Sequence, residues 1–72
     1  MHSVTSQDSG DLLLYRIRGE FLEMPGLRLT IEQAARLWQM DAATCTTLLM
    51  RLVSDRFLVQ TRRGAYMRLD QA

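Results

Sequence analysis

The chain has 72 residues and a formal net charge of +1. That length holds one domain at most, and a chain this short buries only about 60% of its unfolded surface, so its core draws on nearly every apolar residue. With 47% apolar and 24% charged residues the composition is globular, which excludes a disordered polyelectrolyte.

Residues 1–10, rich in Ser, Thr, Gln and Gly, read as a flexible tail, and residues 11–72 as the folded domain. A first helix is expected over 11–24, capped by Ser9 or Asp11. Leu14, Ile17, Phe21 and Met24 recur at steps of three and four and define its inner stripe, which Leu13 widens. Its apolar positions Leu12, Leu13, Leu14, Tyr15, Ile17, Phe21 and Leu22 exceed one narrow stripe, so the same helix is a candidate for pairing with a second copy. Arg16 and Glu20 stand four apart and can pair on its surface. Gly19 costs about 1 kcal/mol relative to alanine inside a helix, which points to close approach of a neighbour or to a tolerated exposed position. Pro25 and Gly26 stop the helix.

Leu27 and Leu29 alternate around Arg28 as a minimal strand. Thr30, with Gln33 three residues on, is a capping box for a second helix whose inner face is Ala34, Ala35 and Trp38. Two small residues let the next helix cross at close range. A turn over 39–41 follows, with Met40 as an apolar plug and Asp41 as the cap of a third helix over 42–56. Cys45, Leu48, Leu49, Leu52 and Val53 face inward at helical spacing, and Ala43, Thr44, Thr46, Thr47, Met50, Arg51 and Ser54 face out. Two β-prone runs, 57–60 and 65–69, are joined by Thr61, Arg62, Arg63 and Gly64, where glycine is free to take a positive φ. Tyr66 and Met67 fall on opposite faces of the return strand, so one of them is expected on the core. The pattern is an α+β fold: three helices with a small antiparallel sheet, the third helix and the hairpin on a common side.

The run LTIEQAARLWQMDAATCTTLLMRLVSDRFLVQTRRGAYMRL, about 40 of the 72 residues, resembles the winged helix-turn-helix family of small prokaryotic DNA-binding domains. The likeness lies in the capped helix, the alanine-bearing inner face, the turn, the next helix, the apolar pair and the glycine-containing hairpin. It implies that residues 42–55 form a recognition helix and residues 60–65 a wing. The family usually has glycine in the helix-to-helix turn, where this chain has Gln39. The resemblance gives the fold more firmly than the function, because many winged helices bind other proteins.

Function divides into two classes. In the first, residues 42–55 enter a major groove of DNA, the wing lies on phosphates, and the protein acts as a transcription regulator. The contacts would come from Ala43, Thr44, Thr46, Thr47, Met50, Arg51, Arg62, Arg63 and Arg68. Arg28 is either a further contact or the partner of an acidic neighbour. In the second class the same fold docks onto a protein and no nucleic acid. All nine basic residues are arginine, whose planar fork suits phosphate and carboxylate alike. Residues 1–26 carry net −2 and residues 27–72 net +3, so the positive end is the wing half. The outward face of the third helix is poor in charge, with Asp41 negative at its start, and this favours the second class. A homodimer through residues 11–24 suits either.

Catalysis is not expected. His2 has no cysteine or carboxylate cluster at ligand spacing, so neither a metal nor a cofactor is implied. No nucleophile–histidine set and no glycine-rich phosphate loop occur. Cys45 is the only cysteine, it sits on an inward stripe, and it reads as an inert buried thiol in a reducing cytoplasm. No apolar run reaches the roughly 18 residues of a membrane span.

Overall fold

The computed structural model describes the backbone of residues 4–72 and the side chains from Leu12 onward. Helix α1 spans Val4–Glu23. It starts well before Ser9 and Asp11, and the stretch 4–10 forms its opening turns rather than a tail. No proline interrupts these residues, each polar side chain there costs at most about 0.7 kcal/mol relative to alanine, and Gly10 about 1 kcal/mol, which the helix tolerates. The capping roles expected of Ser9 and Asp11 concern side chains outside the described residues.

Ile17 and Phe21 are buried at 1% and 0% exposure, with Leu13 and Leu14 packed beside them. Met24 is 53% exposed, against expectation. The helix ends at Glu23, and Gly26, at φ +86°, turns the chain before Met24 can reach the core. That turn is tied to the other end of the protein, where Gln71 Oε1 accepts the Gly26 N–H at 2.7 Å.

Strand β1, Leu29–Thr30, leads directly into α2, Ile31–Leu37. The capping box is present: the Gln33 N–H donates to Thr30 Oγ1 at 3.2 Å and the Thr30 N–H to Gln33 Oε1 at 3.0 Å. Ala34 is fully buried where α2 meets α3, Ala42–Ser54. Two helices end alike. After α2 the chain passes through Gln39 at φ +53°, and the Met40 N–H returns to the Ala35 carbonyl at 3.0 Å. After α3 it passes through Arg56 at φ +62°, with Arg56 N–H on Val53 O and Phe57 N–H on Leu52 O, both at 3.0 Å. These are Schellman closures built on non-glycine residues. The second explains why α3 stops at Ser54 and not at residue 56.

Strands β2, Leu58–Gln60, and β3, Ala65–Arg68, complete an antiparallel sheet in the order β1-β3-β2, followed by a 3-10 turn at Leu69–Gln71. Leu29 and Gln60 flank Tyr66 from either side, and Val59 pairs with Met67. Both Tyr66 and Met67 are buried, at 2% and 3% exposure, although alternation predicts one. Because β3 is the central strand, its side chains on both faces are shielded by neighbours on both sides. Tyr66 joins the main core with Ile17, Phe21, Ala34, Cys45, Leu48, Leu49, Leu52 and Leu58. Trp38 meets Phe21 edge-on, ring centres 6.3 Å apart and planes at 62°. Three helices and a small antiparallel sheet make an α+β architecture compatible with a winged helix.

A left-handed L-residue costs about 1–2 kcal/mol, and glycine gives back about 0.5–1 kcal/mol of this through the entropy of the unfolded chain. Gln39→Gly and Arg56→Gly should therefore each stabilise the fold by up to about 1 kcal/mol in urea denaturation. A loss of stability at either position would show that its side chain does something the backbone does not.

Candidate nucleic-acid interface

Two exposed surfaces correspond to the expected recognition helix and wing. On α3, Ala43, Thr44, Thr46, Thr47, Met50 and Arg51 are all exposed. The three threonine hydroxyls are turned inward onto their own helix. Thr44 Oγ1 donates to Asp41 Oδ1 at 2.8 Å, Thr46 Oγ1 to the Ala42 carbonyl at 2.8 Å, and Thr47 Oγ1 to the Ala43 carbonyl at 3.1 Å. With those protons committed, the face offers a partner aliphatic surface and oxygen lone pairs, not hydroxyl donors.

Asp41 caps α3 through the Thr44 N–H, received by Oδ2 at 3.0 Å. The Thr44 hydroxyl, then its backbone N–H, hold the Asp41 carboxyl below the usual aspartate range. The positive end of the helix is thereby occupied by a fixed negative charge. Arg51 reaches Asp55 at 3.8 Å with both side chains largely exposed, a pair worth about 0.3–0.5 kcal/mol and easily exchanged. Met50 is 43% exposed, and its Sδ accepts the Tyr66 hydroxyl at 3.5 Å. That contact puts the Tyr66 side of β3 against α3. Tyr66 is buried and Trp38 packs against the core, so neither ring is presented to a partner as a stacking platform. Burial, then the nearby Asp41 charge, push the Cys45 thiol up, in keeping with an inert role.

The wing tip is built by backbone chemistry. The Gly64 N–H closes a β-turn on the Thr61 carbonyl at 2.9 Å, and Gly64 takes φ +83° to rejoin the strand. The Thr61 N–H then pairs with the Ala65 carbonyl at 2.7 Å, while Thr61 Oγ1 accepts the Ala65 N–H at 3.2 Å. Arg62 and Arg63 are the two central turn residues, and both are exposed. They do not stand alone. Arg28 joins them around one hollow of about 420 Å³, completed by Thr61 and Ala65.

Arg28 arrives there because the segment it opens pairs with β3, Thr30 opposite Ala65. Spacing left its role open, since only strand pairing across more than thirty residues brings it to the wing. Among the described residues the ion pairs are Arg51 with Asp55 and Arg68 with Asp70, so none of the three arginines has a carboxylate partner. Arg68 is in a different situation. Its Nε and Nη2 grip both Asp70 oxygens at 3.1 and 2.6 Å, and its side chain is only 20% exposed.

The hollow contains no α3 residue. Strand alternation puts Ala65 on the face of β3 opposite Tyr66, and Tyr66 is the residue that touches α3. The threonine flank and the arginine hollow are thus lined by different residues, and no residue belongs to both. Among the described residues no group of three His, Cys, Asp or Glu side chains could hold a metal ion, and no helix is long and apolar enough to cross a membrane. His2 lies outside them. Compared with protein-family models, with curated proteins and with solved structures, the chain matches none.

The depressed Asp41 pKa has a signed consequence. The folded state favours the ionised carboxylate, so its stabilisation is complete above the ordinary aspartate range and is lost as pH falls through the depressed value. Asp41→Ala should lower Tm at neutral pH, and the gap to the parent should close on acidification. Melting curves by circular dichroism across that range provide the check; a gap independent of pH would mean the cap works without its charge.

Proposed function

We propose that this protein is a DNA-binding module, regulator-like in its action and cytoplasmic, with residues 42–55 directed into a major groove and residues 60–65 laid on phosphates. The observation that supports this best is the hollow lined by Arg28, Arg62 and Arg63, which take part in no ion pair among the described residues. A surface that presents several such cations attracts a polyanion, which releases its own counterions on binding.

The two patches divide the labour. Phosphate affinity belongs to the wing, because Asp41 already occupies the end of α3 that an anion would approach. The face of α3 suits apolar contact, such as with thymine methyl groups, and carries little hydrogen-bonding code. Sequence discrimination is therefore modest and affinity is mainly electrostatic. A single module of this size covers about 600–1,000 Å² of its own surface, so one copy binds weakly.

The second reading, a protein-docking module without nucleic acid, is favoured by the apolar side chains left outside the core, Leu37 at 55% and Met50 at 43% exposure among them. Fluorescence anisotropy with labelled duplex separates the two. Three phosphate contacts give a log–log salt slope of about −2.7. Arg28→Ala should remove about one unit of that slope, and Arg62→Ala with Arg63→Ala about two. Arg68→Ala, already neutralised by Asp70, should leave the slope unchanged. Absence of binding at low salt, or a slope indifferent to the three arginines, overturns the DNA reading.

A further inference from the structure

We propose that the outer face of α1 is a homodimer seam, on which a second copy of this chain packs in parallel as a short two-stranded coiled coil. Leu12, Tyr15 and Leu22 are 67%, 79% and 50% exposed, on the side of α1 away from buried Ile17 and Phe21. With Gly19 they fall at steps of three, four and three, the a, d, a, d positions of a heptad. One helix therefore carries two apolar stripes, and only one has a partner within the chain.

The flanking charges choose the orientation. With Leu12 at a, Arg16 and Glu23 occupy e, while Arg18 occupies g. In a parallel pair each g position faces the e position five residues on in the other copy. Arg18 then meets Glu23 of the second copy, so opposite charges meet there. In an antiparallel pair e faces e and g faces g, setting Arg16 against Arg16 and Arg18 against Arg18. Within one chain Arg16, Arg18, Glu20 and Glu23 take part in no ion pair among the described residues, including the Arg16 and Glu20 pair that spacing predicts. Arg18 has its guanidinium 4.8 Å from the Phe57 ring centre of its own chain.

Gly19 fits the same scheme. A Cβ built there meets nothing within 4 Å, so no element of its own chain requires the glycine. At an a position it leaves one layer of the seam without a knob, which keeps the pair reversible.

Sedimentation equilibrium of the full chain over a range of concentrations tests the proposal, with circular dichroism melts to confirm folding. The expected result is a concentration-dependent monomer–dimer equilibrium. Tyr15→Glu, at a largely exposed position, should abolish it. Gly19→Ile should supply the missing knob and tighten the dimer by roughly tenfold or more in Kd. Glu23→Arg should weaken association, and adding Arg18→Glu should restore it by reversing both charges. A parent chain and a Gly19→Ile variant that both stay monomeric at every concentration overturn the seam, as does a dimer indifferent to Tyr15→Glu. Failure of the double swap to restore pairing overturns the parallel register.

Discussion

The close crossing of α2 and α3 rests on one methyl group and one left-handed residue. Ala34, with no exposed surface, lets the two helix backbones approach. Gln39, at φ +53°, reverses the chain within the few residues between Trp38 and Asp41. A larger side chain at position 34 would push α3 away, and an extended residue at position 39 would send it in another direction. Everything downstream inherits that crossing: the inward stripe of α3, the closure at Arg56, and the strand that begins at Leu58 on the core.

The sheet converts this crossing into a charged surface. β3 runs between β1 and β2, so a segment from before α2 lies beside the hairpin that follows α3. That pairing carries Arg28 to the wing tip, where it joins Arg62 and Arg63. The same strand turns Tyr66 toward α3 and Ala65 away from it. On α1 the thin core has another effect. A domain this small buries one stripe of a twenty-residue helix and leaves the apolar residues of the other side in water.

Much of the local structure was legible because it is governed by neighbours a few residues apart. Thr30 with Gln33, Asp41 with Thr44, and Gly64 in the hairpin each act within four residues, and each stands where the pattern places it. The inward stripe of α3 follows from helical spacing alone, with Cys45, Leu48, Leu49 and Leu52 buried. The misreadings have a common cause. Met24 matched the periodicity of α1 but lies just past its end; Met67 alternated away from the core but stands in a central strand; residues 4–10 are mostly polar yet carry no proline. Periodicity reports which residues share a face, and not where that face stops or what covers its reverse. Of the candidate site residues, the exposed face of α3 and the arginine turn were readable as surface. The pairing of Arg68 with Asp70 and the arrival of Arg28 were not, since both depend on where strands end and which strands meet.

By itself, then, the sequence determined the elements, their caps, the left-handed glycine of the hairpin and the inner stripes of the helices, because these obey short-range sterics and hydrogen bonding. Only the tertiary structure decided which arginines are neutralised, which gather, and which apolar stripe of α1 faces water. Those outcomes depend on backbone pairings between residues far apart in the chain, and no local spacing encodes the distance between two side chains that a sheet brings together.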